Sequence, residues 1–205
     1  MDPQTELEMR RAQEMNQFVA AQLTGQYPRE DRRDLLARFL SITKSHHEAI
    51  MLLCYEERLL GSAFALWRPL VEASIRGSFV AFLATPVQIE QIKRGETPYG
   101  NVNALAKDLD TLFETEGLFT RDAGEAWGMM CGFTHGGLEQ LNRRIDDNGE
   151  IGCYFDPEEV QALLARSTSV LVRTALQFLG ESHRQEACDA VNARFVALYP
   201  TPGDR

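Results

Sequence analysis

Residues 59–84, LLGSAFALWRPLVEASIRGSFVAFLA, form an apolar run of about seven helical turns that carries charge at only three positions, 68, 72 and 76. Arg68, Glu72 and Arg76 are four residues apart, so on a helix they stack into one charged stripe while the other faces stay apolar. A surface helix shows a broad polar face instead. The stretch therefore reads as the central helix of a helical bundle, with its charged line aimed at an internal polar site or pocket. Pro69 lacks a backbone donor and its ring meets the carbonyl four residues back, which predicts a kink around residues 65–69.

A membrane span is the other reading of such a run. Two arginines and a glutamate near its middle would be costly in lipid, and no second span shelters them. The chain of 205 residues, 44% hydrophobic and 25% charged, suffices for one domain with a real core. Its formal charge of −9 argues against a general nucleic-acid or anionic-membrane binder, which would neutralise phosphates with many Lys and Arg. A small local basic site remains compatible with it. Cys54, Cys131, Cys153 and Cys188 are scattered without a C-x-x-C pair, and Cys54 and Cys131 sit in apolar helical text as reduced thiols do. With a polar N-terminus lacking a secretory pattern, the expectation is a cytoplasmic protein.

Helical periodicity and breakers divide the rest. A weakly amphipathic helix is expected over 5–24, ending at Gly25 and Pro28, and one long helix over 30–57, with Ser45 as a point of bending. Pro86 starts a short helix to Arg94, Gly95–Gly100 is a loop, and helices follow over 102–116 and 121–144. Asp146-Asp-Asn-Gly149 leads a hairpin-like piece to Phe155. Asp156-Pro157-Glu158-Glu159 combines an N-cap, a proline at the first position and a glutamate three residues after the cap, a strong start for a helix to Gly180. The last helix covers 181–198. No repeat or linker divides the chain, so the expected architecture is all-α, a single domain of six to eight helices, with 5–180 as core bundle, 181–199 as terminal helix and 200–205 as tail.

Gly128, Gly132 and Gly136 are again four apart within 121–144. Glycine in a helix costs on the order of 1 kcal/mol relative to alanine, so the stripe predicts close approach of another helix, with 59–84 the expected partner. His135 lies beside that stripe, and His47 on the second long helix completes an expected polar core of Arg68, Glu72, Arg76, His135 and His47. The same residues suit a structural ion network, since Arg-Glu-Arg at this spacing and a histidine on a glycine-rich helix both occur as satisfied core groups. His46 and His47 project about 100° apart and do not readily share a metal. The cysteines have no metal spacing, and no phosphate loop, nucleophile elbow or H-E-x-x-H is present.

The text SHHEAIMLL (45–53), GSAFALWRPLVEASIRG (61–77) and FTHGGLEQLNRR (133–144) resembles a family of bacterial all-helical proteins known as a domain of unknown function, over about residues 30–180. Its layout is similar to the HEPN superfamily, helical bundles that are often dimeric and include metal-independent ribonucleases of toxin and phage-defence systems. The resemblance places His47, Arg68, Glu72, Arg76 and His135 at motif positions. HEPN ribonucleases carry arginine and histidine four to six residues apart, whereas here the nearest arginine before His135 is Arg121. An Arg–His pair must therefore be assembled between helices.

Two functions follow. One is an RNA-cleaving enzyme in which His135 moves the 2′-hydroxyl proton, Arg68 and Glu72 complete the catalytic group, and His47 and Arg76 assist binding. The other is a non-catalytic helical module, a partner or immunity protein or a sensor of a small anionic ligand. Neither requires a metal or cofactor, and a homodimer is open to both. Exposure discriminates: a solvent-open cleft at Arg68 and His135 fits the enzyme, and a sealed ion network fits the module.

Overall fold

A computed structural model describes residues 1–128, 132, 133 and 135–200, with the backbone alone at 125–127. The fold is an all-α bundle: α1 Pro3–Gln22, α2 Asp31–Tyr55, a 3-10 turn Glu57–Leu59, α3 Leu60–Ala65, α4 Trp67–Phe82, α5 Pro86–Lys93, α6 Val102–Phe113, α7 Leu118–Trp127, α8 Leu138–Leu141, α9 Pro157–Glu181 and α10 Gln185–Leu198. Among the described residues the only β feature is an isolated antiparallel bridge between Ile145 and Ile151. The hairpin-like piece expected there is held by Asp146, whose Oδ1 accepts from the backbone N–H groups of Asn148 and Glu150.

The run 59–84 is central as expected. Eleven of the sixteen residues of α4 are buried, and α4 packs against α2, α9, α6 and α7. The helix breaks after Ala65, the residue whose carbonyl opposes Pro69, and α4 resumes at Trp67. Close helix approach uses Gly77, where a Cβ would lie 3.0 Å from Phe39 Cβ on α2. The α4–α9 seam is lined by small hydroxyl residues: Ser74 Oγ lies 2.8 Å from Thr174 Oγ1, and Ser78 Oγ donates to Gln177 Oε1 at 2.9 Å. Each of these hydroxyls is satisfied locally, so they line the contact between the two helices at no cost in unpaired groups of their own.

Two consecutive arginines in the first turn of α2 secure the ends of other helices. Arg32 donates to the carbonyls of Val80, Ala81 and Ala84 at the end of α4, and Arg33 to those of Glu181 and Pro28. These carbonyls carry the negative end of the helix dipole, so a guanidinium fork both pairs and neutralises them. Thr85 and Asp156 form the capping boxes of α5 and α9. Asp110 accepts from the backbone N–H groups of Phe119 and Thr120 and so caps α7.

The segment 121–144 departs from expectation. It is not one helix: α7 starts at Leu118 and ends at Trp127, Gly128 leaves helical geometry at φ −72°, ψ −93°, and Gly136 has φ +69°. Gly128 and Gly136 lie in turns and Gly132 in helical geometry, and the nearest neighbours found for them are not on α4. A Cβ on Gly124 or Gly136 would meet nothing within 4 Å, and one on Gly132 would meet the side chain of Glu139. Gly137 N–H donates to Gly132 O at 2.6 Å, and a Cβ on Gly137 would lie 2.8 Å from Gly132 Cα, so this closure excludes a side chain. Cys131, expected as a core thiol, lies outside the described residues; Cys54, Cys153 and Cys188 are free, and burial pushes the Cys54 thiol up to about 12.

Candidate functional site

Arg68 occupies the first turn of α4, and His135 lies in helical geometry in the segment between α7 and α8, just before the turn at Gly136. Arg68 Nη1 lies 3.5 Å from His135 Nε2, with Arg68 half-buried and the imidazole exposed. A guanidinium only donates, so Nε2 is the acceptor in this contact. The pair is assembled between segments 67 residues apart and opens to solvent.

The segment bearing His135 is anchored on both sides. Phe133, two residues earlier, is 3% exposed and stacks on Phe64 of α3 at 5.5 Å, with Phe155 completing a trio. On the other side Arg143 lies over Phe155 at 4.7 Å and binds both carboxylate oxygens of Glu159 on α9 at 2.6 Å. The histidine is thus held by aromatic stacking before it and a bidentate ion pair after it.

The lower half of the stripe is closed. Glu72 and Arg76 form a salt bridge with side chains 25% and 32% exposed, and Arg76 lies 4.8 Å over the ring of Tyr99. Arg68 and Glu72 are therefore half-buried and not sealed in the core as expected. Burial raises the Tyr99 phenol above its ordinary value, with Arg76 pulling the other way.

His47 does not join this group. It is fully buried on α2, its Nδ1 3.0 Å from Ser167 Oγ on α9. Ser167 gives its own proton to the Leu164 carbonyl at 3.0 Å, which leaves its oxygen to accept from the imidazole at Nδ1. Nε2 has no hydrogen-bond partner among the described residues. Burial drives the pKa down to about 4, with the Ala12 carbonyl opposing. The helical period that put His47 on an inward face was right; it faces α9 because α9, and not the turn after α7, packs there.

Sequence reasoning missed Phe64, Phe133, Phe155, Tyr99, Arg143 and Glu159. The Phe-x-His spacing at 133–135 is the one local signal, since a large aromatic two residues before an exposed polar group is an anchor. The rest are tertiary pairings.

The fold is an all-α bundle with an arginine–histidine contact whose imidazole is exposed. The chain belongs to a family of unknown function, DUF6988, whose model matches residues 40–200 and so includes both Arg68 and His135. No curated protein and no solved structure matches the chain. No helix among the described residues is long and apolar enough to cross a membrane, and no group of three or more His, Cys, Asp or Glu among them is placed to hold a metal.

Proposed function

We propose that the Arg68–His135 pair is a HEPN-like, metal-independent site for cleaving RNA. The observation that carries the reading is the 3.5 Å approach of a half-buried guanidinium to an exposed imidazole. This contact is at the outer limit of hydrogen bonding, so a phosphate oxygen can compete with the imidazole for the same N–H of Arg68. In the reaction the 2′-oxygen attacks the adjacent phosphorus while its proton passes to His135 Nε2. The bond from phosphorus to the 5′-oxygen breaks, its electron pair leaves with that oxygen, and the proton is returned to it by the imidazolium. Arg68 balances the charge that grows on the non-bridging oxygens. The products are a 2′,3′-cyclic phosphate and a 5′-hydroxyl. Glu72 and Arg76, committed to each other and to Tyr99, stiffen α4 below the pair and take a positioning role.

A second reading is favoured by that closed Glu72–Arg76–Tyr99 network: a binding module in which Arg68 holds an anionic ligand or partner without turnover. The test is incubation of the purified protein with single-stranded RNA, with and without EDTA. The expected result is EDTA-insensitive cleavage to cyclic-phosphate ends, abolished in His135→Ala and Arg68→Gln variants that remain folded. Absence of cleavage, with His135→Ala altering stability alone, overturns the enzyme and leaves the module. A homodimer is open to both readings, and sedimentation of the purified chain as a monomer would remove it.

A further inference from the structure

We propose that the outward face of α2 seats a second copy of this chain, through an antiparallel α2–α2 contact in which Arg38 of each copy pairs with Glu56 of the other. The inference is independent of the cleavage reading. Arg38, Ile42, Ser45, Ala49, Leu52 and Glu56 recur at alternating intervals of four and three residues, the seven-residue repeat of a helix-packing seam. The opposite side of α2, with Leu36, Leu40, His47 and Ile50, packs into the core. The repeat itself faces out: Ala49 is half-buried and the other five are exposed, Ile42 at 45% and Leu52 at 72%. α2 runs unbroken from Asp31 to Tyr55, without the bend expected at Ser45, so the seam is continuous.

One exposed leucine is ordinary on a protein surface. The order of these six residues is what selects the occupant. About its midpoint the seam is self-complementary: Ser45 answers Ala49, Ile42 answers Leu52 and Arg38 answers Glu56, a small pair, a large apolar pair and an opposite-charge pair. A twofold-related antiparallel helix brings each residue against its counterpart, so one patch satisfies both ends of the contact. A parallel pairing sets Arg38 against Arg38 and Glu56 against Glu56 and is repelled at both ends. The small residues at the centre let the axes approach to about 8 Å, the close end for helix pairs, which brings Ile42 and Leu52 together. Within one chain Arg38 and Glu56 stand about 27 Å apart along α2 and cannot serve each other. Asp34, one turn before Arg38, is bound by Arg29, and Arg38 has no ion pair among the described residues. Glu56 accepts from Arg58 at 3.4 Å, an exposed bridge that is worth little and can be exchanged. The seam covers about five helical turns, which puts it at the small end of specific interfaces and its dissociation constant in the micromolar range.

Sedimentation velocity of the wild type from about 1 to 200 µM, bracketing that range, is expected to show a monomer–dimer equilibrium. Arg38→Glu and Glu56→Arg should each weaken it at least about tenfold, because both ends of the contact then set like charges together. The double reversal Arg38→Glu/Glu56→Arg keeps the net charge and rebuilds both pairs with their signs exchanged, so it should associate as the wild type does. Leu52→Asp, at an exposed position that leaves the fold intact by circular dichroism, should abolish association. A wild type that stays monomeric throughout overturns the proposal and leaves the face to a different protein. Single reversals without effect, a double reversal no better than the singles, or a dimer that survives Leu52→Asp overturns it as well.

Discussion

Arg143 and Glu159 meet through two parallel hydrogen bonds of 2.6 Å and tie the loop that follows His135 to the first turn of α9. The pair is about a quarter to a third exposed, so its worth lies between that of a surface bridge and a buried one. Glu159→Ala should cost about 1–2 kcal/mol in urea unfolding. Its effect on RNA cleavage should be larger than that loss implies, because the imidazole is no longer held. Cleavage unchanged in a variant with that destabilisation would show that the loop is positioned by Phe133 alone.

Two glycines should respond in opposite directions. Gly77→Val drives a side chain into Phe39 at the α2–α4 contact, where a Cβ already lies at 3.0 Å, and should lower stability by about 1–3 kcal/mol. Gly124→Ala, exposed in α7 with nothing within 4 Å, should raise it by about 1 kcal/mol through helix propensity. Melting temperatures of the two variants check this, and a shift in the same direction for both would contradict the assignment of Gly77 as the close-approach residue.

Acid should unfold the protein partly through His47. Its pKa lies near 6.5 unfolded and about 4 folded, so the unfolded chain binds the proton first as the pH falls. Stability is full above pH 6.5, and about 3 kcal/mol is lost between there and pH 4. A stability profile of His47→Gln should be flatter over that window, though lower at neutral pH. Asp110 acts further down. Burial opposes its ionisation, but the hydroxyls of Thr115 and Thr120 and the N–H groups capping α7 outweigh that and hold its carboxyl below the ordinary value. Its contribution disappears as the pH falls through that lowered range.

Arg32→Ala should cost about 2–4 kcal/mol, since three carbonyls at the end of α4 lose a charged donor. Arg32→Lys should recover little, because a single ammonium cannot span Val80, Ala81 and Ala84 as the planar fork does. Chemical denaturation of both variants measures the difference, and full rescue by lysine would mean that charge alone matters there.

The helices were legible because their signals are local: Pro69 broke the central helix where its ring meets Ala65, and Asp156-Pro157 started α9 with its capping box. The glycines of 121–144 were misread for a physical reason. Four-residue spacing fits a helix face and a chain of turns equally well, and spacing carries no information about φ. Arg68 and His135 were recognisable by type and period, whereas the tertiary company of Arg76, Arg143 and Arg144 was not. The contacts of Arg143 and Arg144 depend on how the segment after α7 folds back, and that of Arg76 on where the loop carrying Tyr99 passes α4.

The two halves of the Arg68–His135 pair stand on ground of unequal firmness. One rides on α4, the most enclosed helix of the bundle, and the other on a turn closed by a glycine-to-glycine hydrogen bond. Local opening of that turn with Phe133 kept in its aromatic stack exposes little apolar surface and needs far less free energy than global unfolding. The site is therefore a thermal fuse. On warming, the pair should come apart and activity should fall while the helical circular-dichroism signal is still intact, and on cooling it should reassemble without refolding of the bundle.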